Sequence, residues 1–181
     1  ISVAVYNLGA QIGNKKLEEV TIKQFELGWK MATFGLFRLS KVLFPYMVDR
    51  KKGTLIVTSS TAAVRGNKEQ HSHAAAMGGR RMLCQTLSDE LASKGIHIIH
   101  AIIDGAVDAP DTLGKMLGKE KYEKLREDLG KSKDGLILPE KIAESYLQLV
   151  QQHRSTWTHE IDYRSYTDQP WWNTKTQNYN F

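Results

Sequence analysis

The 181 residues are 41% apolar, 25% charged and 9% aromatic, a globular composition with material for one core and not comfortably for two. Lysine and arginine outnumber the acids 25 to 20, a net charge of +5 spread along the chain, which excludes an acidic disordered tail and lends little support to nucleic-acid binding. The lone cysteine, Cys84, excludes an internal disulfide and suits a reducing compartment, no Cys/His spacing matches a metal site, and no apolar run reaches the roughly 18 residues of a membrane span.

Taken in chain order, Ile1 to Tyr6 (ISVAVY) reads as a buried strand running into a loop with Asn7, Gly9 and Gly13. Thr21 and Gln24 make a capping box, and Phe25, Trp29, Ala32, Leu36, Leu39 and Leu43 predict one long helix lasting to about Val48. Gly53 opens a second buried strand, Thr54 to Thr58, that runs into Ser59 and Ser60. A helix from about His71 to Lys94 follows, with Gly95 as its stop. Ile96 to Ile103 is a third buried strand ending at Asp104 and Gly105. The Lys- and Glu-rich stretch from Pro110 to Gly135 predicts one short amphipathic helix at about Lys119 to Leu129. Pro139 begins a helix to Gln151, and Trp157 to Tyr163 alternates like a last strand. The order is that of a parallel α/β fold with right-handed crossovers.

Tyr6-Asn7-Leu8-Gly9, Trp29 followed by Gly35, Thr58-Ser59-Ser60, Gly66-Asn67, His73-Ala74-Ala75-Ala76 and Asp104-Gly105 stand in an order and spacing that resembles the short-chain dehydrogenase/reductase family, from Val5 to about Tyr163. The resemblance implies a Rossmann-like doubly wound parallel sheet, represented from its fourth strand onward. It makes residues 1–163 a partial domain and 164–181 an aromatic tail. It also implies hydride transfer between NAD or NADP and a carbonyl or alcohol carbon. In that family a Ser holds the substrate oxygen, a Tyr moves the proton, a Lys four residues later tunes the Tyr and holds the nicotinamide ribose, and an Asn supports a water relay. Ser60 matches the Ser; His73, thirteen positions on, takes the position of the Tyr; Met77 takes that of the Lys and Ala32 that of the Asn. Asn7, Gly9, Met77, Gly105 and Val107 fall at cofactor-binding positions, with Ala109 where a Thr contacts the carboxamide.

Met77 has no charge and no donor, whereas the His73 imidazole titrates near neutrality without help from a lysine. Two readings follow. One is an oxidoreductase with an altered site in which Ser60 holds oxygen and His73 supplies the proton. The other is a catalytically inactive relative serving as an interaction subunit of a larger assembly. The glycine-rich phosphate turn is not among these residues, so roughly 80 preceding residues, or another chain, are expected to supply it. The helices beginning at Thr21 and His71 are expected to pair with a second copy, with Phe34, Phe37, Lys41, Arg80 and Met82 as contacts. Trp171, Trp172, Tyr179 and Phe181 are expected to dock on another subunit. Glu160 and Asp162 read as an exposed strand face. Cytoplasm and mitochondrion both suit the expected intracellular setting.

Overall fold

A computed structural model describes residues 1–9, 13–130 and 132–173. Tyr179 and Phe181 of the tail lie outside the described residues. The strands β1 (Val3–Tyr6), β2 (Gly53–Ser60), β3 (Ile96–Ile103) and β4 (Glu160–Tyr163) form one sheet in the order β1-β2-β3-β4. β1 runs parallel to β2, with Val3 opposite Thr54 and Tyr6 opposite Val57. The chain divides into two compact units, Ile1–Ile102 with His153–Ile161, and Ile103–Gln152 with the chain from Asp162 onward.

In the first unit the β-branched runs of β2 and β3 are buried on both faces, as strands of a parallel sheet are. One core layer sets Leu36, Leu43, Phe44 and Met47 of helix α2 (Gly35–Asp49) against Leu55, Val57, Ile96 and Ile98, with Cys84 and Leu91 of α3 (His71–Leu91). Each such aliphatic side chain contributes about 2 kcal/mol on leaving water. A smaller cluster joins Ala32, Ala62, Ala76 and Met77. β1 behaves differently: Ala4 and Tyr6 pack on the core while Val3 and Val5 are exposed. Gly95, at φ +85°, ends the α3 segment in the left-handed region that favours glycine, and a Cβ there would strike the Lys51 carbonyl.

The helix expected to run unbroken from Thr21 is in fact interrupted. α1 (Ile22–Trp29) begins at Thr21, whose hydroxyl accepts from Gln24 N–H while Gln24 returns a bond to Thr21 N–H, each at 3.2 Å. A π turn, Lys30–Phe34, then separates α1 from α2. Widening the turn redirects main-chain carbonyls out of the ordinary ladder. The Met31 carbonyl accepts from the Tyr6 hydroxyl, and the Ala32 carbonyl from Arg80. Thr33 donates to the Ala76 carbonyl at 2.7 Å, and a Cβ on Gly79 would lie 3.0 Å from the Thr33 hydroxyl. Glycine at 79 therefore lets α3 approach the π turn closely.

In the second unit Val107 bridges Ile137, and the helices α4 (Lys115–Leu117), α5 (Lys119–Leu129) and α6 (Pro139–Val150) follow a π turn at Pro110–Gly114. Tyr122 donates to Asp108, which also receives Arg126 at 3.2 Å. Asp104 accepts from Arg164 Nε at 3.2 Å and from the Trp171 backbone N–H at 3.0 Å. Arg164 lies over the Trp172 ring at 4.6 Å. The described part of the tail is thus fastened within its own unit.

Candidate active site

β2 delivers Ser60 at its last residue, and α3 delivers His73 in its first turn. Their side chains meet: Ser60 Oγ lies 3.0 Å from His73 Nε2. His73 is buried, and its Nδ1 has no partner among the described residues. Burial first, and then the Arg80 charge, push its pKa from the ordinary 6.5 down to about 4. The imidazole is therefore neutral near pH 7. When Nε2 accepts from Ser60, the proton of the neutral ring sits on the buried Nδ1.

Met77 follows His73 by one turn and shares its helix face. It is 2% exposed, packs with Ala32, Ala62 and Ala76, and its sulfur accepts from Ser59 Oγ at 3.6 Å. No donor is available at that position for a ribose hydroxyl. Asn7 and Gly9, just beyond β1, are exposed, and nothing lies within 4 Å of where a Cβ on Gly9 would be. The main chain at Gly9 is therefore unobstructed. Gly105 and Val107 belong to the second unit, where a Cβ on Gly105 would meet Asp168 Oδ2 at 2.6 Å and Val107 holds its bridge to Ile137. Two open concavities of that unit, one bordered by Leu136, Ile142 and Tyr163 and the other by Lys119, Tyr122 and Arg126, contain neither Ser60 nor His73.

Two expectations are corrected. Arg80 is not an inter-subunit contact: it is 1% exposed and spends its three nitrogens on carbonyls inside the unit, Nε on Ala32 at 3.2 Å, Nη1 on Thr58 at 2.5 Å and Nη2 on Leu8 at 2.7 Å. Glu160 and Asp162 do not form a bare exposed face either. Arg81 grips Glu160 at 2.6 and 2.8 Å, His100 Nδ1 approaches the same carboxylate at 2.9 Å, and Arg164 holds Asp162 at 2.7 Å. The signal for Arg80 was present in the spacing, since residues 73, 77, 80 and 84 recur on one helix face. A charged side chain on that face reads as solvated until the carbonyls that surround it are known.

The model for short chain dehydrogenases matches residues 1–118. The uncharacterized oxidoreductase YhxC of Bacillus subtilis is 28% identical over 151 residues, covering 83% of this chain and 50% of that protein. The crystal structure of a short-chain dehydrogenase from Rhodopseudomonas palustris, 28% identical, superposes with a TM-score of 0.70 over 91% of this chain and 62% of its own. An alcohol dehydrogenase from the archaeon Thermococcus sibiricus, solved with 5-hydroxy-NADP, shares the fold with a TM-score of 0.74 at 22% identity, over 94% of this chain and 65% of its own. The chain thus spans half the length of the Bacillus relative and less than two thirds of either solved chain. A match that runs unbroken from β1 through the Ser60 strand and the His73 helix makes this chain a member of the short-chain dehydrogenase family.

Proposed function

We propose that the chain carries the substrate side of a nicotinamide-dependent oxidoreductase in which Ser60 and His73 handle the reacting oxygen and its proton. The observation that carries this reading is the 3.0 Å contact between Ser60 Oγ and His73 Nε2, a hydroxyl and a titratable nitrogen joined where a strand end meets a helix start. NAD or NADP, when bound, supplies or accepts the hydride, and the open main chain at Asn7 and Gly9 suits its nicotinamide end. Ser60 binds the substrate oxygen. His73 Nε2, neutral near pH 7, is in the form that takes the hydroxyl proton of an alcohol. Carbonyl reduction needs the imidazolium, and with the pKa near 4 that form is scarce except in acid. Gly105 and Val107 are proposed as further cofactor contacts, residues 1–163 as the domain and 164–181 as its tail.

The inactive-relative reading is favoured by one observation, the thioether of Met77 tucked among alanines where the family's lysine would stand. A second copy packed on the exposed Phe37 and Met82 fits either reading. No helix of the described residues is long and apolar enough to cross a membrane. The test is Ser60→Ala, assayed for reduction of NAD and NADP by a panel of alcohols. The oxidoreductase reading expects kcat/KM to fall by about 100-fold or more. Turnover unaffected by the substitution overturns the role of Ser60, and no turnover with no dinucleotide binding in the parent chain gives the decision to the inactive relative.

A further inference from the structure

A serine hydroxyl is a poor nucleophile unless a neighbouring base takes its proton as the oxygen attacks. Two serines of the first unit touch a histidine ring nitrogen, and their settings differ. Ser155 Oγ lies 2.8 Å from His153 Nδ1, but both residues are exposed at one 3-10 turn, and the same nitrogen accepts from the Ser155 backbone N–H at 3.3 Å. Water competes for that hydroxyl, and the ring lone pair is shared. Ser60 Oγ lies 3.0 Å from His73 Nε2 across a separation of 13 residues, with the ring buried and the serine partly exposed. Tertiary structure, not a local turn, sets this contact, so it is held while the hydroxyl stays within reach of a small molecule. The neighbouring Ser59 is engaged elsewhere: it is buried and donates to the Met77 sulfur at 3.6 Å.

We propose that Ser60 is a nucleophile with His73 as its base, and that it accepts the acyl group of an activated carboxylic ester in the absence of any dinucleotide. The proposal rests on the contact between the two side chains and not on hydride transfer. Ser60 Oγ bonds to the ester carbonyl carbon while its proton passes to His73 Nε2. The bond from that carbon to the leaving oxygen then breaks, the electron pair departs on the leaving oxygen, and the proton held on Nε2 moves to it. The products are O-acyl-Ser60 and a free alcohol or phenol, with no change of oxidation state. His73 Nδ1 has no partner among the described residues, so the carboxylate that steadies the imidazolium of a triad is not in contact with this ring. Burial, and then the Arg80 charge, also hold the ring well below its ordinary value, at about 4. The imidazole is therefore a weak base that gives its proton up readily, which suits esters with a good leaving group, such as aryl esters, and not amides. Cys84 does not compete for the acyl group, because it is fully buried and its thiol is pushed up to about 12.

The test is p-nitrophenyl acetate in excess over the 181-residue chain without nucleotide. Release of p-nitrophenol is followed, and the acetylated residue is located by peptide mass spectrometry after an acid quench. The expected result is at least one equivalent of p-nitrophenol per chain, with acetyl on Ser60 and none on Ser59 or Ser155. Ser60→Ala should reduce release to the background of exposed lysines, and His73→Gln should slow it by about 100-fold. Acetyl confined to lysines, or as abundant on Ser155 as on Ser60, overturns the proposal. So does release unchanged in Ser60→Ala, which makes the imidazole itself the acceptor, or unchanged in His73→Gln, which removes the base. The peptide map of the parent needs no substitution, so it decides the matter even where a variant fails to fold. Acetylated Ser60 in a chain that oxidises no alcohol upholds the nucleophile while removing the oxidoreductase reading; an unlabelled Ser60 in a chain that oxidises alcohols does the reverse.

Discussion

Two buried histidines of the first unit, His73 and His100, start from the same physics and end differently. Burial is the larger cause in both, and each is pushed to about 4. Each has a neighbouring arginine and one ring nitrogen without a partner among the described residues. His100, fully buried in β3, leans on Glu160, and Glu160 is held by both arms of Arg81. Its charges close on one another, and a closed cluster of this kind fastens β3, β4 and α3 without needing a ligand. His73 leans on a neutral hydroxyl, and the nearby cation Arg80 answers to carbonyls rather than to a carboxylate. The arrangement left open at its polar end is the one proposed above as the site, and the closed one is read as scaffold.

The largest effect is expected from putting back the missing charge. Met77→Lys buries an ammonium among alanines within the influence of Arg80 and should cost about 3 kcal/mol or more of stability in urea unfolding. Adding Arg80→Met should recover part of that loss, because one of two like charges is then gone. Equal stabilities for the single and double variants would show that the two positions do not interact. Next comes Glu160→Gln, which opens the closed cluster. Losing the charge-assisted bonds from Arg81 and His100 should cost about 2 kcal/mol while leaving the His73 titration where it was. A shift of His73 in this variant would merge the two regions that the comparison separates.

Acid should act on both histidines in one direction. Their folded-state pKa values, about 4, lie below the ordinary 6.5, so between these limits the unfolded chain binds more protons and stability rises with pH. Stability is complete above about pH 6.5 and is lost as pH falls toward 4. Glu160, held below its ordinary value chiefly by its Arg81 hydrogen bond, adds a loss of the same sign at lower pH. Unfolding free energies measured across this range should slope upward, and His73→Gln should flatten the slope without abolishing it. A flat profile in the parent would mean that neither ring is held neutral by the fold. The smallest effect belongs to Thr21→Ala, which removes one half of the capping box of α1 and should cost about 1 kcal/mol, with no change at either histidine.

Much of this architecture was legible in the chain itself. β3 was read residue for residue from IHIIHAII, because a run of β-branched residues with no polar alternation suits only a strand covered on both faces. α5 was read with its bounds, from its charge pattern between glycines, and the Thr21 cap from a spacing of three. Ser60 and His73 were paired through the family resemblance, whose spacing they match, and the fold brings them into contact. The interruption of the first long helix was not legible, because a π turn is stabilised by what receives its carbonyls, and those partners, Tyr6 and Arg80, lie far away along the chain.

Local sequence therefore determined the elements, their order and the family likeness, since periodicity, caps and glycine stops act over a few residues. Only tertiary structure decided where charge resides. Whether Arg80, Arg81 and Glu160 face water or the interior depends on segments that meet across the fold. Arg80 alone draws on carbonyls at Leu8, Ala32 and Thr58. A buried ion is stable only when such distant groups converge on it, and no window of adjacent residues contains them all.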